Sequence, residues 1–387
     1  MADYFDTLVL TSGTRWEEPH RIRHQVAFEM KKYFKRVLFV ECPRHLRYDF
    51  EEDTFIGLGI RQVEDNIFAL RLPKLLVLPK NGHSLIPFLS ELLQKNNLKK
   101  IHESLENIGA KKPILINFTY SNHVFHDPDL FAFSVFILND DFINKAPNPL
   151  IYHLAKRMQD KTAKKADMCL AVSTPLLGQV KRVNPHSHLF LPGHNFGEMA
   201  NKTTNLNPRQ RNRKIQVAFM GYIDGRLDLD WIKHASLQKE IDFYLVGPNC
   251  LDDENTKGLQ AQGVIFKQSL KGDELFNFLS SCDVLTMPYV LNPTTIAGTA
   301  PNKMFQYIAS GRPIVSSNMP YLLDLPNGVL QKANDKEDFV QKINEAVAMD
   351  SEEHVKERFK IASENTWEKR GLELMNMIEN RIHEKHG

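Results

Sequence analysis

The sequence predicts an α/β protein built from two doubly wound domains. Short apolar or β-branched runs alternate with longer helical patterns along most of the chain, as βαβ units require. A polar, proline-bearing stretch, GEMANKTTNLNPRQRNRK (197–214), has neither strand nor helix period and separates two such series. At roughly 150 residues per domain, 387 residues supply two substantial cores.

In the first series, strands are expected at TLVL (7–10), RVLFVE (36–41), PILINF (113–118), SVFIL (134–138), MCLAVS (168–173) and HLFLP (188–192). Helical patterns lie between them at 18–34, 84–107 and 150–165. The second series places strands at IQVAFMG (215–221), IDFYLVG (241–247), GVIF (263–266), DVLTMPY (283–289), PIVSS (313–317) and GVLQ (328–331). From 351 to 387 the chain is helical and charged, with Trp367, Leu372, Met375 and Ile378 read as one apolar stripe. The expected organisation is an N-terminal domain (1–196), a linker (197–214), a C-terminal domain (215–350) and closing helices (351–387) packed back toward the N-terminal domain.

Composition excludes several classes. Hydrophobic residues make up 42% and charged residues 25%, which argues against long disorder. The start MADYFDTLVLTSGT lacks a basic leader and no run of about 18 apolar residues exists, so neither signal peptide nor membrane span is expected. Cys42, Cys169, Cys250 and Cys282 form no CxxC pair, which disfavours a disulfide framework and a thiolate zinc site. A cytoplasmic location is expected. The net charge of +2 is too small to steer nucleic acid, which is not expected as a partner. The basic runs KKYFKR, KNNLKK, AKRMQDKTAKK and PRQRNRK read either as solvated faces or as a surface resting peripherally on the anionic inner face of a membrane.

Two facing sheets of this kind bind ligands in a cleft beyond the carboxyl ends of their strands. There lies TAPNKMFQYIASG (299–311), in which Pro301 suits a helix start and Gly311 a helix stop. Small residues before it, Thr299 and Ala300 among them, let backbone N–H groups of a turn ending at Asn302 approach an anion. Lys303 then adds a point charge suited to a diphosphate, and Gln306 lies on the same face, within reach of an attached sugar. Met304, Phe305, Ile308 and Ala309 form the buried stripe. The structural alternative leaves Lys303 and Gln306 as solvated surface residues. Arg226, after GYIDG, is a second phosphate ligand candidate, or else a surface partner of Asp228 or Asp230.

In the first half, Asp140 and Asp141 end an apolar strand, so that one can cap the next segment and the other orient or deprotonate a hydroxyl. His123 and His126 occupy a loop after a strand, where one could hydrogen bond a donor sugar; His194 sits at the crossing between domains. His20 and His24 are four apart on a helix, but no third metal ligand is near and no metal or other cofactor is expected. Neither a GxGxxG fingerprint nor a GxSxG elbow is present, which disfavours a dinucleotide dehydrogenase and a serine hydrolase.

PNKMFQYIASGRPIVSS resembles the PxKxxEYxAxGxPVV block of bacterial glycosyltransferases with the two-domain, Rossmann-like GT-B fold, in the retaining group that builds surface polysaccharides. VAFMGYIDGRLDLDWI and DFYLVGP resemble that family's first two donor-domain strands, ending at Gly221 and Gly247. LSSCDVLTMPY, ENTWEKRGLELMNMI, RWEEPHRIRHQVAFEMKKYFKRVLFVE and FILNDDF resemble further landmarks. The resemblance implies a metal-independent, hexosyltransferase-like enzyme moving sugar from a nucleotide-sugar donor to a glycan or lipid-linked acceptor. Its donor ligands would be Gly221, Arg226, Gly247, Thr299, Ala300, Asn302, Lys303 and Gln306, and its catalytic candidates Asp140, Asp141 and His123. Gln306 departs from the family, where a glutamate holds the nucleotide ribose. That departure, with the absence of any acid in LNPTTIAGTAPNK, keeps open an inactive GT-B binding or scaffold protein, and the shared fold keeps open a nucleotide-sugar epimerase.

Overall fold

The computed structural model describes residues 5–18, 20–41, 59–72, 87–196, 213–292, 303–320 and 322–386. Its contacts divide the chain into two units, Met1–Leu191 with Arg370–Gly387, and Pro192–Lys369.

The first unit holds β1 (Thr7–Thr11), β2 (Arg36–Glu41), β3 (Gly59–Glu64), β4 (Ile67–Arg71), β5 (Ile114–Asn117), β6 (Phe133–Leu138), β7 (Met168–Ala171) and β8 (Ser187–Leu189). They form one sheet in the order β3-β4-β2-β1-β5-β6-β7-β8. Every described pair is parallel except the β3–β4 hairpin. Burial of β1, β5 and β6 on both faces explains why they read as unbroken apolar runs. The hairpin was absent from the sequence expectation because β3 alternates exposed and half-buried residues and has no apolar run. At this edge Glu41, fully buried, accepts from Arg61 at 2.7 Å, Arg71 at 2.8 Å and the Trp16 N–H at 2.9 Å, fastening β2, β3 and β4 together.

Helices Ile22–Met30, Pro87–Asn107, Pro149–Lys165 and Thr174–Lys181 connect these strands. The first is shorter than the expected 18–34, because Arg21 is its extended N-cap and its backbone N–H donates to His24 Nδ1 at 3.1 Å. From Arg370 onward the C-terminal helix Trp367–His386 also belongs to this unit. Gly371 allows its close approach, since a Cβ there would lie 2.8 Å from Glu29 Cβ, and Lys385 pairs with Asp167 at 2.6 Å. Leu372 is not on the apolar stripe of this helix: it is 51% exposed, and Leu374 is buried with Trp367, Met375 and Ile378. At about 100° per residue, position 372 points roughly 140° away from 367.

The second unit is a six-stranded parallel sheet of β9 (Ile215–Met220), β10 (Ile241–Val246), β11 (Ile265–Lys267), β12 (Val284–Met287), β13 (Ile314–Ser317) and β14 (Leu330–Ala333), ordered β11-β10-β9-β12-β13-β14. Strand order reverses between β9 and β12. In an open parallel sheet the two loops leaving such a point diverge to opposite faces, and the crevice between them receives ligands. Four of its helices start on side-chain caps, with Asp228, Asp252, Asp335 and Ser351 accepting from first-turn N–H groups.

Candidate functional site

At the carboxyl end of β9 the backbone turns at Gly221, and at the end of β10 it turns at Gly247, with φ of 139° and 136°. Both conformations favour glycine. Space demands it as well. A Cβ on Gly247 would meet Gly221 O at 2.3 Å, and a Cβ on Gly221 would meet Lys303 Nζ at 2.2 Å. The two glycines therefore bring the β9 turn against β10 on one side and admit a lysine on the other.

Lys303 immediately precedes the helix Met304–Ala309. The helix is fixed to β9 by Tyr307, whose Oη accepts from the Met220 N–H at 2.7 Å. Its residues are buried except Gln306, which is half-buried, so the expected apolar stripe forms and also takes in Tyr307. The Lys303 side chain is half-buried overall, but its amine end is enclosed. It donates to Tyr289 Oη at 2.9 Å and lies 4.0 Å from the centre of the Phe219 ring. Phe219 and Tyr289 stand edge to face, 6.1 Å between centres, and Ser317 Oγ holds the Tyr289 carbonyl at 2.7 Å. Burial of the amine, reinforced by the Arg226 charge and opposed by Asp224, lowers the Lys303 pKa to about 7. This lysine is short of oxygen ligands.

Arg226 is in the same neighbourhood. Its carbonyl accepts from the Val290 N–H at 2.9 Å, and Leu227 bridges Tyr289. The guanidinium grips Asp224 with Nε to Oδ1 at 2.9 Å and Nη2 to Oδ2 at 2.7 Å. Its partner is thus Asp224, not the expected Asp228 or Asp230. Asp228 instead caps the helix Leu229–Ser236. Burial works against the Asp224 carboxylate, but hydrogen bonds and charge from Arg226 hold its carboxyl below the usual range, with a further contribution from Lys303. Because the Arg226 side chain is 56% exposed, its donors are within reach of a ligand arriving from solvent.

Gly221, Gly247, Arg226, Lys303 and Gln306 thus gather at the strand ends of one sheet. Thr299, Ala300 and Asn302 lie outside the described residues, as does Cys42. Phe219, Asp224, Tyr289 and Tyr307 complete the arrangement and were not singled out in the sequence. The available signal was a tyrosine closing the apolar strand DVLTMPY, since a phenol at a strand end must find a polar partner.

The first unit's candidates have local partners. Asp141 is fully buried and accepts from Asn144 Nδ2 at 2.6 Å and Gln179 Nε2 at 3.3 Å. Asp140 accepts from the Asp141 N–H at 2.8 Å and pairs with Lys145. His123 is buried, its Nε2 on Glu91 at 3.1 Å; burial and the Lys161 charge lower its pKa despite Glu91. His126 is buried beside Asn117, which donates to Nε2 at 3.0 Å, and burial lowers its pKa to about 3. Neither histidine is a surface loop residue. His194 is likewise buried, its Nε2 donating to Ala362 O at 2.9 Å and its Nδ1 accepting from the Phe196 N–H at 3.1 Å. It is a staple inside the second unit. His20 and His24 stack on each other at 5.2 Å within an aromatic cluster around Trp16. Among the described residues, no three His, Cys, Asp or Glu side chains gather to hold a metal ion, and no helix is long and apolar enough to cross a membrane.

Residues 214–349 match the family Glycosyl transferases group 1. Over 114 residues the chain is 32% identical to the Bacillus subtilis (strain 168) protein named teichuronic acid biosynthesis glycosyltransferase TuaH, covering 29% of this chain and 28% of that relative. The match spans little more than a quarter of TuaH. A solved structure of trehalose-6-phosphate from E. coli bound with UDP-2-fluoro glucose is 10% identical, covering 96% of this chain and 99% of that one at a TM-score of 0.65. HepE of Anabaena in complex with UDP and glucose is 13% identical, covering 97% and 100% at 0.64. The fold is GT-B. Two Rossmann-like α/β domains are what these likenesses show, and the family match over 214–349 supports sugar transfer in general.

Proposed function

We propose that the chain transfers a sugar from a nucleotide-sugar, bound by the second unit, to a hydroxyl of a glycan or lipid-linked acceptor bound by the first. The observation that carries this reading is the enclosed Lys303 amine at the reversal point between β9 and β12. When the bond from the anomeric carbon to the diphosphate oxygen breaks, negative charge grows on that oxygen. Stabilising it is the main electrostatic task of the reaction. Lys303 supplies a cation that a phosphate oxygen can claim from a phenol and a ring face, and Arg226 supplies a planar fork for a second oxygen. These two cations can take the charge-stabilising part of a divalent ion, and retained configuration is proposed from the sequence resemblance alone.

Gln306, half-buried on the same helix, would reach the ribose with an amide instead of a carboxylate. In the first unit, Asp140 is the better placed acid for the acceptor hydroxyl: it pairs with Lys145 but keeps 32% of its side chain exposed, whereas Asp141 is fully buried with Asn144 and Gln179. The TuaH likeness supports surface polysaccharide synthesis as the setting. The basic runs support work against the anionic inner face of the membrane; flotation that ignores lipid charge would remove that part.

The test is a panel of UDP-, GDP-, dTDP- and CMP-sugars followed by thermal shift. A ligand at a hundredfold its Kd adds about 2.7 kcal/mol of stability. One nucleotide class is expected to raise Tm, and Lys303→Ala is expected to abolish that response without lowering the unliganded Tm. A flat panel with the native chain overturns the reading.

A further inference from the structure

Past the end of β6, the loop 139–148 and the helices Pro149–Lys165 and Thr174–Lys181 enclose a recess of about 150 Å³. Asn144, Tyr152, Lys156, Gln159, Gln179 and Arg182 are among its walls. All belong to the first unit, and none is part of the Lys303 arrangement.

Behind this recess runs a relay of amides with a fixed direction. The buried Asp141 carboxylate can only accept, so Gln179 must turn its NH2 group to it, at 3.3 Å. That leaves Gln179 Oε1 facing Gln159, which must in turn present its own NH2, at 2.9 Å. Flipping Gln159 alone would set two amide oxygens against each other, and flipping both would set Gln179 Oε1 against the carboxylate. The polarity imposed at Asp141 is therefore delivered to Gln159 Oε1, an acceptor on a residue only 1% exposed that has no hydrogen-bond partner. An orphaned buried acceptor is costly and calls for a donor from outside.

The charge of the walls specifies the rest of the ligand. Arg182 is exposed and makes no ion pair with any described residue. Lys156 pairs with Asp160, which is itself part of the wall, at 2.5 Å, so the two offset each other and Arg182 is the charge left to the recess. A single water would satisfy Gln159 but use only a fraction of the recess, since one water needs about 10–15 Å³ of such space. We propose that this recess binds a small hydroxylated anion, a sugar phosphate or a sugar acid, with a hydroxyl donating to Gln159 Oε1 and the anionic group against Arg182.

Calorimetric titration of the full chain with glucose 6-phosphate and with glucuronate tests this, with glucose and inorganic phosphate as the separate halves of the chemistry. At least one anion is expected to bind tenfold or more tightly than either half, and which one binds distinguishes a phosphate from a carboxylate ligand. Arg182→Ala, at an exposed position, should weaken it about tenfold without changing Tm, and Gln159→Met should do the same through loss of the acceptor. Lys303→Ala should leave it intact, so that failure here and failure of the nucleotide reading remain separate. Three results would each overturn the site: no binding of either anion, phosphate alone binding as well as the sugar phosphate, or binding undiminished in Arg182→Ala.

Discussion

The Lys303 amine rests 4.0 Å from the centre of the Phe219 ring. An ammonium is attracted to a ring face, yet the ring and the Tyr289 phenol replace only part of the hydration that the amine gives up. Its charge is therefore easily surrendered and strongly restored by an arriving anion.

A pH dependence of binding follows. With the Lys303 pKa near 7, the amine is charged below that pH and ready for a diphosphate; above it, binding must take up a proton. Affinity for a nucleotide-sugar is expected to be flat below pH 7 and to fall by up to about tenfold per pH unit above it, until the raised pKa of the complex is reached. Titrations at pH 6.5 and 8.5 check this. A nucleotide-sugar is preferable to a free diphosphate, whose own terminal group titrates nearby. The free protein behaves oppositely: because the unfolded lysine keeps its proton to higher pH, Lys303 makes stability rise as pH climbs from 7 toward 10.5.

Gly221→Ala tests the space around the amine. The added methyl would lie 2.2 Å from Nζ, in a backbone conformation that costs a side-chain-bearing residue about 1–3 kcal/mol. The amine must move off Phe219. Loss of nucleotide binding larger than the loss of Tm can explain is expected, and a variant that binds normally would separate Lys303 from the ligand.

Arg358 supports the same helix from behind. Fully buried, it donates to Gly311 O at 2.9 Å, to Gly328 O and to Asp350. Gly311 closes the turn after Met304–Ala309, so the guanidinium ties the Lys303 helix to Glu352–Glu364. Removing one member of a buried charge pair costs about 3–5 kcal/mol, and Arg358→Met should lower stability by that order in urea unfolding.

Acid should destabilise the first unit through His126. Burial holds its pKa at about 3 against an ordinary 6.5, so between those values the unfolded chain binds the extra proton and stability falls as pH falls. His126→Leu should make the dependence of Tm on pH shallower between 6.5 and 4. The slope will not vanish, because burial lowers the pKa of His24, His123 and His194 as well.

Strands buried on both faces were legible to within about two residues, β1 and β6 being examples, because an unbroken apolar run states its own burial. The β3–β4 hairpin was not, although Asp65 and Asn66 mark a two-residue turn, since its outer strand relies on Arg61 and Glu41 more than on apolar contact. Lys303 and the two glycines could be found from spacing and resemblance. What spacing could not give was the partner of each charge. Asp224 and Asp228 lie on either side of Arg226, and only the course of the backbone after β9 decides which one it grips. Likewise, an aspartate pair at a strand end reads the same whether it faces substrate or, like Asp141, feeds a chain of amides.

The first unit is discontinuous: its chain leaves at Leu191 and resumes only at Arg370, after all of the second. On the ribosome the order of completion is therefore inverted. The second unit has its whole sequence available while the first still lacks the helix whose Gly371 packs on Glu29 and whose Lys385 reaches Asp167. Domains usually mature in the order they are made. Here the surface that receives that helix on the first unit stays uncovered until the nascent chain returns.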